Sequence, residues 1–100
     1  MAMTAKKSKN RTEQDEVEPV SGEAIKAKRQ AMGISLDEIK ERTKIGKFTL
    51  KLIEDDMYSS LPATVYLKSF IKQIAIIIGM DPTKTAEGYL KKMRESKKGK

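Results

Sequence analysis

The sequence contains no cysteine, no histidine and no tryptophan, and aromatic residues make up only 5% of it. Without Cys or His it forms no disulfide and offers no thiolate or imidazole for nucleophilic or base chemistry. It also lacks the usual ligands of a zinc site. Such a chain suits a reducing cytoplasm. Long apolar runs are missing too. The N-terminus has no apolar signal core, and the greasiest stretch, Ile74 to Met80, falls far short of the roughly 20 residues that a membrane span needs. We therefore expect a cytoplasmic chain with no span of its own. Two readings of its end stand side by side, a stand-alone protein and an excised domain. No Gly-rich phosphate loop follows a strand and no nucleophile sits beside a base, so neither an enzyme nor a bound cofactor or metal is expected.

At 100 residues and 38% hydrophobic content, the chain can bury one core but not two. Its net charge of +7 points toward a polyanionic partner until it is divided along the chain. In residues 1–20 the four basic groups (Lys6, Lys7, Lys9, Arg11) are balanced by Glu13, Asp15, Glu16 and Glu18. Residues 91–100 carry six basic groups (Lys91, Lys92, Arg94, Lys97, Lys98, Lys100) against Glu95, a surplus of +5, which leaves +2 for everything between. The basicity is therefore mostly terminal, and a lysine-rich end more often solubilises than docks. A docking role for it would mean non-specific attraction to nucleic acid or anionic lipid.

The first 20 residues are polar, blocky in charge and without apolar periodicity, which predicts a disordered tail. Ser21 is a candidate N-cap for a first helix that Gly33 stops. The run Ser35-Leu36-Asp37-Glu38 reads as a capping box opening a second helix, in which Ser35 serves the Glu38 amide and Glu38 returns to the cap amide. Lys44-Ile45-Gly46 is a short connection of the kind that joins two helices at a steep angle, and a third helix runs from about Gly46 to Glu54. The segment 55–61 reads as a loop pinned by Tyr58 and Leu61, with Glu54-Asp55-Asp56 as a solvated acidic run. Pro62 then fits the opening of a fourth helix. Placed at 100° per residue, its positions Tyr66, Leu67, Phe70, Ile71, Ile74, Ala75, Ile77 and Ile78 share one broad arc, the mark of a central helix, and Ile76 falls among the polar positions opposite. Asp81-Pro82 opens a fifth helix with Ala86, Tyr89, Leu90 and Met93 at core spacing and Gly88 as its weak spot. The expected fold is all-α: a five-helix domain over 21–93, with a disordered tail over 1–20 and a basic tail over 94–100.

The run Gly33-Ile34-Ser35-Leu36-Asp37-Glu38-Ile39, with Thr43-Lys44-Ile45, Leu50 and Ile53-Glu54-Asp55-Asp56, resembles the helix-turn-helix of the phage-repressor (Xre-like) superfamily. More narrowly, Leu61-Pro62, Val65-Tyr66-Leu67-Lys68-Ser69-Phe70 and Gly79-Met80-Asp81-Pro82 resemble the N-terminal cytoplasmic domain family of RodZ, a bacterial cell-shape protein. Where that family usually has a third aromatic, this chain has Ile74. The superfamily implies binding of a DNA duplex through the third helix, at Lys44, Gly46, Lys47, Phe48, Lys51 and Leu52. The RodZ branch implies an adaptor that touches the actin-like protein MreB through the fourth-helix region, at Tyr66, Lys68, Phe70 and Ile76. Phe48 and Leu52 cannot hydrogen-bond to bases and could contact only thymine methyls, while the lysines suit phosphates, which give affinity without sequence. On the third helix Phe48 and Leu52 are both expected to point outward, opposite Leu50 and Ile53. The carboxylates at Asp37, Glu38 and Glu41 are explained by helix capping and the macrodipole. The leading expectation is DNA binding, and the alternative is the adaptor.

Overall fold

Helix starts and stops follow the local chemistry of the chain. The computed structural model describes residues 17–98. Among the described residues it has five α-helices and no strand: α1 (Gly22–Ala31), α2 (Leu36–Thr43), α3 (Lys47–Glu54), α4 (Thr64–Ile78) and α5 (Pro82–Lys98), with a 3-10 turn over Tyr58–Ser60. The expected all-α architecture is thus the observed one. Ser21 Oγ accepts from the Ala24 amide at 3.0 Å and Ser35 Oγ from the Glu38 amide at 3.1 Å, while Asp81 Oδ1 accepts from Lys84 at 2.8 Å with Pro82 opening α5. Gly79 closes α4 at φ +82, a left-handed position that a Cβ would strain.

Several expected details are corrected. The capping box is half formed, because Glu38 turns its carboxylate to Arg42 at 3.6 Å, one helical turn on, rather than back to the cap amide. Pro62 does not open α4: Leu61 and Ala63 are both extended, and the helix begins at Thr64. Leu61 is held in that conformation by the proline that follows it. At the other end α5 continues past Met93 to Lys98. The Lys/Arg/Glu-rich extension is made of good helix formers, and its cations favour a helix C-terminus. The expected tail over 1–16 lies outside the described residues, but Val17–Val20 are placed on the domain: the Val20 amide donates to the Gly88 carbonyl (3.1 Å), and Lys91 Nζ donates to the Val17 carbonyl (3.1 Å). Gly88 is explained by this strap. A Cβ there would overlap the Glu18 carbonyl and the Val20 side chain.

The core is built from Ile25 of α1, Ile39 of α2, Leu50 and Ile53 of α3, Leu67, Ile71, Ile74 and Ile78 of α4, and Ala86, Tyr89, Leu90 and Met93 of α5, with Ile45 closing the turn. Helix α4 touches α1, α2 and α5, as its wide apolar arc predicts. Tyr58 and Leu61 pack on this core as expected anchors. The fully buried Tyr89 donates its phenol to the Ile53 carbonyl at 2.7 Å and meets Tyr58 edge-on at 5.9 Å between ring centroids. Burial first, and the nearby Asp56 carboxylate second, push the Tyr89 phenol well above the ordinary tyrosine range, so it stays a neutral donor.

The acidic run at the end of α3 is not the solvated loop that its composition suggests. Glu54 is buried and takes a two-pronged contact from the buried Arg29 of α1, at 2.7 Å from Nε and 3.0 Å from Nη2. Arg29 Nη1 also donates to the Ile34 carbonyl at 2.9 Å, fixing the α1–α2 connection. Asp56, at φ +55, accepts from the Gly22 amide at 2.8 Å. These two carboxylates lock α1 against the base of α3, and that lock sets how the helix-turn-helix sits on the rest of the domain.

Candidate nucleic-acid interface

The turn between α2 and α3 is stiffened from within. Thr43 Oγ1 donates to the Ile39 carbonyl (2.8 Å) and accepts from the Ile45 amide (3.0 Å), while Ile45 is buried and Lys44 takes the left-handed conformation at φ +67. Gly46 then caps α3 without a side-chain hydrogen bond, and a Cβ at that position would meet open space. The first amides of α3 are therefore not served by a capping side chain, an arrangement that favours an anion nearby.

Along α3, Leu50, Ile53 and Glu54 face inward. Placed at 100° per residue, Lys51, Phe48 and Leu52 fall on the opposite arc, and Lys47 at its edge beside Glu54. Lys47, Phe48 and Lys51 are exposed, Phe48 to 74%, and Lys44 and Gly46 are exposed at the entry to the helix. Five of the six residues expected to meet DNA are thus exposed. Leu52 departs from the expected outward pair with Phe48: it is half-buried, and its carbonyl accepts from the Met57 amide at 3.0 Å. Sequence reasoning missed Asp37 beside these residues. Lys47 Nζ lies 3.1 Å from Asp37 Oδ1, and both side chains are well exposed. An ion pair so exposed contributes little stability, and its acidic partner lowers the local positive charge.

The residues expected to serve the adaptor role do not form one patch. Tyr66 was expected on the buried arc and is 61% exposed, in the first turn of α4, directly after the non-helical segment 61–63. Phe70, one turn on, is half-buried against the core. Lys68 lies on another side of the helix and lines a concavity of about 240 Å³ with Val17, Glu87, Leu90, Lys91 and Arg94. Ile76 is 66% exposed, as its polar-face position predicts. Its nearest equivalent on the helical wheel is Val65, 70% exposed and missed from sequence, about 16 Å away along the helix axis. Among the described residues no group of three or more acidic, Cys or His side chains could hold a metal ion, and no helix is long and apolar enough to cross a membrane.

Residues 24–85 match a family described as a helix-turn-helix domain. The chain is 32% identical over 68 residues to the cytoskeleton protein RodZ of Streptococcus pneumoniae, an overlap that covers 68% of this chain and 25% of that protein. It is 36% identical over 58 residues to YmfM of Bacillus subtilis, an uncharacterized membrane protein, covering 58% of this chain and 20% of the other. The chain therefore spans about a quarter or less of the length of these curated relatives. A solved structure of YmfM from Staphylococcus aureus, described as a candidate DNA-binding membrane protein, superposes with a TM-score of 0.64 at 29% identity, over 72% of this chain and 88% of that one.

Proposed function

This chain belongs to the helix-turn-helix domain family, and from that premise we propose that it is a non-enzymatic, cytoplasmic DNA-binding module that lays α3 in the major groove. The observation that carries this reading is the exposed face at the turn and along α3: Lys44 in the turn, Lys47, Phe48 and Lys51 on the helix, and a helix start capped only by a glycine. Lysines supply affinity through phosphates and no sequence information, so binding is strongly salt-dependent. The acidic groups of α2 keep that affinity modest.

Fluorescence anisotropy with a mixed-sequence duplex tests the reading in both directions. Changing Lys47 and Lys51 to Glu is expected to weaken binding at least about tenfold and to lower the slope of log K against log salt by about one per lysine lost. The helical circular dichroism should be unchanged, since both side chains are exposed. Asp37→Asn, which frees Lys47, is expected to strengthen binding. Unaltered affinity in both the lysine variant and Asp37→Asn would remove α3 from the interface.

A second reading is an adaptor that binds an actin-like protein through α4, and the exposure of Tyr66 favours it. Because Tyr66 is outside the core, Tyr66→Ala should fold normally and yet lose MreB in a pull-down. Retention of MreB by the folded variant would count against this contact. Phe70 is a poorer probe, as its ring packs on the core.

A further inference from the structure

We infer that Phe48 reads the C5-methyl group of thymine, so that thymine content along the groove, rather than a hydrogen-bonded base code, sets what sequence preference the domain has. This deepens the DNA-binding reading and rests on it. The reasoning starts from what α3 does not present. Its outward arc holds Phe48, Lys51 and half-buried Leu52, with Lys47 at the edge and no Arg, Asn or Gln. Those missing side chains are the ones that pair two-pronged with guanine or adenine edges. The two lysines are flexible point charges, suited to phosphates more than to a planar base edge.

Phe48 is the largest group on the arc. It stands at the second position of α3, 74% exposed, on the same exposed arc as Lys51 and just after Lys44 and Lys47 in the chain, cations that would hold phosphates beside it. A phenyl ring inserted in the groove strips water from the polar base edges it covers and returns no hydrogen bond, a cost that is avoided where it meets an apolar group instead. The thymine methyl is the apolar group that the unmodified bases present there. The positive charge around Phe48 argues for a polyanion as the occupant of this face, and a duplex is the polyanion that carries methyl groups at major-groove depth. The same chemistry extends to 5-methylcytosine, which bears its methyl at the same ring carbon.

The test uses the full chain and Phe48→Ala, which should fold because the ring is outside the core. Binding is measured at low salt to one duplex made either with thymine or with deoxyuridine in its place, which deletes only the methyl groups. The wild-type chain is expected to bind the thymine duplex about fourfold more tightly for each methyl it contacts, and Phe48→Ala should bind both duplexes equally. Replacing cytosine by 5-methylcytosine in a G·C-rich duplex should raise wild-type affinity and leave the variant unmoved. Equal wild-type affinity for the thymine and deoxyuridine duplexes overturns the inference while leaving DNA binding in place. A preference that persists in Phe48→Ala overturns it by assigning the methyl to another group or to duplex shape. Failure to bind any duplex removes the DNA-binding reading itself, and this inference with it.

Discussion

Arg29→Met is expected to destabilise the domain by about 3–5 kcal/mol, the cost of leaving a buried carboxylate without its partner. Glu54 would be left without its guanidinium partner in a nearly closed site, and the Ile34 carbonyl would lose its donor as well. Small domains are typically stable by about 5–15 kcal/mol, so this one substitution would remove a large share of the total. Glu54→Leu should be comparably damaging, because it strands the guanidinium. The double variant should recover most of the loss, since an ion pair replaced by apolar side chains of similar volume is often neutral or better. Urea denaturation of the two single variants and the double variant measures this directly. Additive losses would show that the two side chains act independently, contrary to their two-pronged contact.

Gly22→Ala is the second substitution with a large expected effect. A Cβ at Gly22 would overlap the backbone carbonyls of Ile53 and Glu54, at the point where α1 starts against the end of α3. Neither side can yield easily, because both are helical backbone, and the Gly22 amide is bonded to Asp56. The expected loss is about 1–3 kcal/mol or more, visible as a lower urea midpoint and as faster amide exchange at the start of α1. Two other glycines serve as internal comparisons. At Gly88 the obstacle is the strap Val17–Val20, which can lift away, and Ala favours the helix by about 1 kcal/mol. The strap should be released there while the helical core survives. At Gly46 a methyl meets open space, so stability should hardly move. If Gly22→Ala behaved like Gly46→Ala, the close approach of α1 to α3 would be wrong.

Much of the site was legible as a pattern before its geometry was known. The resemblance named Lys44, Gly46, Lys47, Phe48 and Lys51, and helical period, a local property, turned Phe48 away from Leu50 and Ile53; all five are exposed. Leu52 could not be placed so finely. On the wheel it lies well within the outward arc, yet it is half-buried, and its carbonyl accepts from the Met57 amide of the loop that follows α3, whose course the period of α3 does not encode. Tyr66 failed in the opposite sense. Its wheel position is that of a core residue, but burial also needs a neighbour, and among the described residues the first turn of α4 leaves it 61% exposed.

By itself the sequence determined the five helices, their caps at Ser21, Ser35 and Asp81, the stop at Gly79, and the apolar faces of α4 and α5. Each of these depends on interactions within about one helical turn, where spacing along the chain is spacing in space. Only the tertiary structure decided the partners of Glu54 and Asp56, the reason for Gly22 and Gly88, the pairing of Lys47 with Asp37, and the docking of Val17–Val20 onto α5. Arg29 and Glu54 are 25 positions apart in the chain, and Val17 and Lys91 are 74. Contacts at such separations are fixed by how whole helices pack, and a carboxylate reads the same in the sequence whether water or a buried guanidinium awaits it.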